Sequence, residues 1–304
     1  MNRWHYIYAG LRVRSELSIP EWAIFEENEP FDSPEVTISL AGAANPASGN
    51  IPIVTANEYH FHVPEVGSFR VSNGCEIVIT PALEARSHEM RLFLLGSAWG
   101  ALCYQRGVLA LHSSAVQVGD GAVIFCGPSG SGKSTVAAWL ISQGFNFVGD
   151  DLCRFETSPD GIPMIYPSAP RLKLWSEALK QLKKDDKGLE RDHFRHEKYH
   201  VNLTGGEKTV AMPLLGIFLL EWGDIRLTRL TGKAALSRFV AMATYRSDLL
   251  EPMGRIAAQW EACAVLLRRV PVWEFRRPQA WSVVEESMNA LMTHFQSREL
   301  LLGK

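Results

Sequence analysis

The sequence predicts an α/β chain in which a small β-rich module, residues 1–85, precedes a larger α/β domain, residues 86–304. Three observations predict it. Short β-prone runs separated by Pro, Gly and Asn clusters crowd the first 85 residues. Beyond them, strand-like runs alternate with stretches of helical period. Within that second part, a glycine-rich segment lies between an apolar run and a helical one. The length of 304 residues suits two modest domains, and 46% hydrophobic with 21% charged residues is a globular balance.

In the first module, strands are expected over 6–13, 36–40, 59–63, 68–71 and 75–80. Residues 41–50, rich in Ala, Gly, Asn and Ser, read as a surface loop. His60 and His62 alternate within a strand and so share a face, either as a metal pair or as ordinary packing residues. A helix is expected over 87–105, with Met90, Leu94, Ala98, Ala101 and Leu102 on its apolar side and Gly107 ending it.

Two apolar runs, 108–118 and 122–126, are joined by Gly119-Asp120-Gly121, a hairpin signal. With the turn centred on Asp120, paired residue numbers sum to about 240, which sets His112 opposite Pro128. A helix over 133–143 stops at Gly144, and a strand over 145–148 ends in Gly149-Asp150-Asp151. A second hairpin, 152–155 with 164–166, turns at Ser158-Pro159-Asp160-Gly161. Residues 183–200 are dense in charge and read as a solvated loop. Strands at 214–220 and 270–275 and helices at 233–244, 253–267 and 279–296 complete the chain.

Gly127-Pro128-Ser129-Gly130-Ser131-Gly132-Lys133-Ser134 matches G-x-x-x-x-G-K-[ST] at every fixed position, with a strand before it and a helix after it. This pattern is a phosphate cradle. Glycines let backbone N–H groups turn inward, and the helix N-terminus adds its positive end. Gly127, Ser129, Gly130, Ser131, Gly132, Lys133, Ser134 and Thr135 are therefore the expected nucleotide contacts, with ATP as the ligand. Lys133 reaches the β- and γ-phosphates, and the Ser134 hydroxyl is placed to ligate Mg²⁺. A right-handed crossover makes 122–126 and 145–148 parallel, so Asp150 and Asp151 emerge beside the loop. An acid there holds the metal or takes a proton from an attacking hydroxyl. His112 either touches phosphate or is a satisfied strand histidine.

A strand carrying His112, a hairpin into GPSGSGKS, a helix and an acidic pair together resemble the HPr serine kinase/phosphorylase family. Phosphoenolpyruvate carboxykinases share that variant nucleotide fold. The resemblance covers residues 107–155 and extends weakly through Tyr166-Pro167-Ser168-Ala169-Pro170-Arg171-Leu172 and the Lys198-Tyr199 region. It implies a P-loop kinase fold using ATP and Mg²⁺, with Asp150 as base, Asp151 assisting metal or substrate, and His112 and Lys133 near the phosphate. Residues 1–85 are more similar to the N-terminal module of HPr-kinase-like proteins of peptide-modification clusters, including those that phosphorylate lasso-peptide precursors. The acceptor so implied is a serine of a peptide or small protein. The E-x-R-G-x-G signature of true HPr kinases is absent, and Ala169-Pro170-Arg171-Leu172-Lys173 stands in its place. HPr as acceptor, the reverse reaction and the hexamer therefore do not carry over, and a homo-oligomer is left open. Arg171 and Lys198 are either acceptor or phosphate contacts or plain surface charge.

Other classes are bounded by composition. A net charge of −2 argues against nucleic acid as the main partner. Five scattered cysteines without CxxC spacing argue against zinc or a disulfide framework, and fit a reducing cytoplasmic compartment. No apolar stretch is long enough for a membrane span. Three rivals stay open. A coupling ATPase would use Leu203-Thr204-Gly205-Gly206-Glu207, which faintly resembles an ABC signature, but the strand ending at Glu221-Trp222 lacks the metal aspartate such enzymes need. A non-catalytic ATP-binding regulator and a small-molecule kinase of the same fold are the other two.

Overall fold

The computed structural model describes residues 3–43, 52–182, 187–192, 197–203 and 210–296. Most of the loop expected over 41–50, parts of the charged segment 183–200, and residues 204–207 of the signature-like stretch lie outside the described residues. The chain is mixed α/β and divides into two compact units, Met1–Ala110 with Tyr245–Gln259, and Leu111–Thr244 with Trp260–Lys304. The helical segment after residue 86, read from sequence as the start of the second domain, groups with the first unit. No helix among the described residues is long and apolar enough to cross a membrane.

The first unit is built on one seven-stranded sheet. Its strands are β1 (Trp4–Tyr8), β2 (Leu11–Ser15), β3 (Val36–Leu40), β4 (Ile53–Val54), β5 (Glu58–Val63), β6 (Gly67–Ser72) and β7 (Glu76–Pro81), in the order β1-β2-β3-β7-β6-β5-β4. The single run expected over 6–13 is two strands, because Ala9 and Gly10 both take positive φ and reverse the chain. Alternation does place His60 and His62 on one face of β5, where His62 Nδ1 lies 3.3 Å from Ser68 Oγ. Among the described residues no group of three or more His, Cys, Asp or Glu is arranged to hold a metal. The expected helix is present as α1 (Ser87–Phe93) and α2 (Trp99–Arg106), joined by a wider turn at Leu94–Ala98. Tyr8 stacks on Trp22 at 4.0 Å within an aromatic core that includes Trp99.

The second unit carries β8 (Leu109–Val118), β9 (Gly121–Cys126), α3 (Lys133–Ser142), β10 (Phe147–Gly149), β11 (Leu152–Thr157), β12 (Pro163–Tyr166), β13 (Arg171–Trp175), α4 (Ser176–Gln181), β14 (Glu190–Arg191), β15 (Lys198–Asn202), β16 (Met212–Trp222), β17 (Arg226–Leu230), α5 (Gly232–Ala243), α6 (Ile256–Leu267), β18 (Val272–Arg277) and α7 (Val284–Phe295). Helix α6 begins in residues of the first unit. The main sheet runs β10-β8-β11-β12-β16-β18-β17, with β9 bonded to both β8 and β16. Strands β9, β16 and β18 are parallel neighbours, so their carboxyl ends share one edge. Both faces of these strands are apolar, as parallel strands require. Phe125, Phe218, Phe275 and Trp273 pack with Val136 and Leu140 of α3 and Leu291 of α7 in one core.

Three expectations shift. The β8–β9 hairpin turns on two residues, Gly119 and Asp120, so paired numbers sum to 239 (Ser113 with Cys126), one less than expected. His112 thus falls in register with the first loop glycine, not with Pro128. Strand β10 does run parallel to β9, but β8 lies between them, antiparallel to both. Part of the charged stretch read as loop is strand: β15 is the middle of a small sheet ordered β13-β15-β14.

Candidate functional site

The loop between β9 and α3 begins where the buried strand ends, at Cys126. Gly130 and Gly132 adopt φ of 86° and 83°, a region that side chains disfavour. A Cβ on Gly132 would also lie 2.5 Å from Arg277 Nη2, so this turn admits glycine alone. The first turn of α3 then presents Lys133, Ser134 and Thr135. Lys133 Nζ donates to the carbonyls of Gly127 at 2.7 Å and Pro128 at 3.2 Å. The ammonium therefore lies across the concavity, where a phosphate would offer it better acceptors. Burial pulls its pKa below the usual lysine value, with Asp150 and Asp151 acting against that shift.

Asp150 is buried at 8% exposure and holds three donors. Its Oδ1 accepts from Ser114 Oγ at 2.5 Å and from Ser134 Oγ at 2.9 Å, and its Oδ2 accepts from the Lys173 N–H at 2.9 Å. The Asp150 N–H in turn donates to Ser168 Oγ at 3.2 Å. Burial pushes the carboxyl up, against the opposing pull of the Ser114 and Lys173 hydrogen bonds. Asp151 differs. It sits at φ 74°, in the left-handed region, and accepts from Lys173 Nζ at 2.5 Å. Burial alone would raise its pKa, but the charge of Lys173 and of the cations around it outweighs burial and holds the carboxyl well below the usual range. His112 Nε2 lies 3.6 Å from Asp151 Oδ1. Burial, reinforced by Lys133, lowers the imidazole to about 4, so at neutral pH this contact is not an ion pair.

These groups line a single pocket. His112, Lys133, Ser134, Asp150, Asp151 and Lys198 converge there, together with Ser129, Gly130, Gly132 and Thr135 of the loop and its flank. Gly127 contributes its carbonyl to Lys133, and Ser131 is buried with its Oγ unpartnered. Arg171 is not among the pocket walls. Two residues along β13, on the same strand face, Lys173 and Trp175 are. Lys198 sits opposite Trp175 in the β13–β15 register, with its ammonium 5.9 Å from the ring centre.

Sequence reasoning missed Lys173, Ser114 and Ser168. Lys173 stood in the stretch replacing the absent signature, and its spacing from Arg171 and Trp175 was the available signal. Ser114 and Ser168 carried no signal, because their roles depend on how β8 and the approach to β13 flank Asp150.

For Mg²⁺, the Ser134 hydroxyl and Asp150 carboxylate are adjacent oxygens at the loop mouth, a fitting pair for an ion that takes one or two protein ligands and completes its shell with phosphates and water. Asp151, the carboxylate expected at the metal, makes no contact with Ser134 among the described residues; its partners are Lys173 and His112.

No family model matches the sequence, and no curated protein matches it significantly. Among solved structures, an HPr(Ser) kinase/phosphatase from Coxiella burnetii is similar at 9% identity, over 61% of this chain and 95% of that one, with a TM-score of 0.30.

Proposed function

We propose that the chain is an ATP- and Mg²⁺-dependent kinase of HPr-kinase-like P-loop fold that transfers the γ-phosphoryl group to a hydroxyl, most directly a serine of a peptide or small protein. One observation carries the reading: a complete phosphate loop whose Ser134 meets Asp150, with a second acid, two lysines and a neutral histidine around the same mouth. A binding-only protein has no need of the second acid.

The geometry favours a division of labour opposite to the expected one. Asp150 has both oxygens engaged and touches the P-loop serine, which suits the metal side. Asp151 is the more exposed acid and faces His112, which suits the acceptor side. Ser134 and Asp150 would hold Mg²⁺, which when bound supplies charge neutralisation at the β- and γ-oxygens. Lys133 and the loop N–H groups neutralise the equatorial oxygens. The acceptor hydroxyl attacks γ-phosphorus as the bond to the β-bridging oxygen breaks. Its proton passes to Asp151, whose basicity rises when the incoming γ-phosphate draws off the Lys173 charge that holds this carboxyl low, and ADP departs. Lys173 pairs with Asp151 and lines the same pocket, where it would orient that acid.

The coupling-ATPase alternative is weakened by Glu221. That acid ends the strand beside β9, but it is paired with Arg238, which also binds Glu274. Incubating the full chain with Mg²⁺, γ-labelled ATP and a library of serine peptides tests the proposal. Label on peptide serine supports it. Release of free phosphate alone would point to an ATPase, and label on small metabolites to a small-molecule kinase.

A further inference from the structure

The phosphate pocket opens into a larger cleft, of about 460 Å³, in the range of small-molecule sites. Both share Gly130, Gly132, Thr135 and Trp175. The far walls are Trp139, Trp222, Arg277, Gln279 and Trp281. Trp222 and Arg277 end β16 and β18, so the cleft lies outside the carboxyl ends of parallel strands, where α/β sheets bind ligands.

We infer that this tryptophan-lined cleft seats the nucleoside of the bound nucleotide, by stacking its base on Trp222. The inference rests on reading the P-loop as a nucleotide site and adds where the rest of the molecule goes. Direction supports it. His112, the acidic pair, Lys173 and Lys198 occupy one end of the phosphate pocket and are absent from the cleft walls. Thr135, one residue beyond the metal serine, belongs to both. A triphosphate whose γ-group reaches the acids thus leaves its nucleoside on the tryptophan side.

Arg277 fixes the stacking surface. Its guanidinium lies 4.5 Å from the Trp222 ring centre and donates through Nη2 to the Ser131 carbonyl at 2.5 Å. It is 5% exposed, its Nη1 has no partner, and no carboxylate among the described residues lies within ion-pair distance. A buried cation left without an anion favours a negatively charged ligand alongside. Trp222 itself remains 38% exposed, and Trp281 Nε1 is tied to Glu177 Oε1 at 2.7 Å, which steadies the opposite wall.

The test is calorimetry of the full chain with Mg²⁺-ATP and with Mg²⁺-tripolyphosphate, which has the phosphates but no nucleoside. Wild type is expected to bind both, ATP more tightly. In Trp222→Ala, ATP affinity should fall about 5- to 100-fold, the scale of one base stacked on one aromatic ring, while tripolyphosphate stays within about twofold. Trp222→Phe should recover most of the ATP affinity, and Trp281→Ala provides a second truncation if Trp222→Ala does not fold. Wild type binding neither ligand would refute the P-loop reading itself. Tripolyphosphate bound as tightly as ATP, ATP affinity unchanged in the folded truncation, or equal losses of both ligands, would overturn the nucleoside seat and leave that reading standing.

Discussion

The substitutions Asp150→Asn and Asp151→Asn should separate cleanly, because the two neighbouring acids are held in opposite ways. Asp150 is buried and its charge is disfavoured by burial, so a neutral amide removes a desolvation cost. The amide oxygen can keep the Lys173 N–H, and the Ser114 and Ser134 hydroxyls can rotate to accept from its NH₂. Stability should change by no more than about 1 kcal/mol, a melting shift of roughly 2–4 °C. Asp151→Asn instead strands the Lys173 ammonium, whose side chain is only 12% exposed. Breaking a fully buried pair costs about 3–5 kcal/mol, and partial exposure of Asp151 reduces that to about 1–3 kcal/mol, or roughly 3–10 °C. In function the order reverses. Asp150→Asn should lose the Mg²⁺-dependent part of ATP affinity. Asp151→Asn should keep it and lose transfer by about 10²- to 10⁴-fold, the scale of a general base. Thermal melts, calorimetry with and without Mg²⁺, and single-turnover transfer read all three quantities. If Asp150→Asn keeps Mg²⁺-dependent binding and loses turnover, the base is Asp150 as first expected from sequence. If Asp151→Asn melts no lower than Asp150→Asn, the ion-pair argument fails.

Lys133→Ala should leave the melting temperature within a few degrees while lowering ATP affinity at least about tenfold, since the ammonium's present partners are loop carbonyls that solvent can replace; an unchanged transfer rate refutes its role. Lys198→Ala should weaken acceptor or phosphate binding about tenfold and Arg171→Ala should not, because only Lys198 lines the pocket; equal effects on KM would mean the wall at β13–β15 is misassigned.

The strand, glycine-rich turn and helix around residues 127–134 were legible because their pattern is local: eight consecutive residues, an apolar strand before and a helix after. Asp150 and Asp151 were legible by one further step, the handedness of a crossover. What failed needed knowledge of flanking strands. The turn at Ala9-Gly10 looked like continuous strand because an alanine occupies a left-handed position that propensity does not foresee. Lys198 to His200 looked like the end of a solvated loop because the charges around it mask alternation, yet Tyr199 is buried within the core while Lys198 reaches the pocket. The different surroundings of the two acids were not readable from an Asp-Asp dipeptide. They differ through Ser114, Ser134 and Lys173, which approach from three different elements.

The His112 environment leads to a last prediction, about protons. The groups around it are Lys133, Asp151, Lys198 and Lys173; burial first, then the three lysines, depress the imidazole to about 4, with Asp151 opposing. The unfolded value is about 6.5, so between 6.5 and 4 the unfolded chain binds a proton that the folded one refuses. Stability should therefore fall as pH drops through that window, and His112→Asn should flatten this part of the profile. Nucleotide phosphates entering the pocket reverse the balance, since they face the lysines and add negative charge beside the ring. If the imidazole returns to about 6.5, binding at pH 6 takes up roughly 0.7 proton at this residue. Calorimetry at pH 6 in buffers of different ionisation enthalpy measures that uptake, and subtracting the His112→Asn value removes protons exchanged by the nucleotide itself. The wild-type uptake should exceed that of His112→Asn by at least about half a proton. Equal uptake in both would show that His112 stays neutral with phosphate bound, and would leave it as a packing residue beside Asp151.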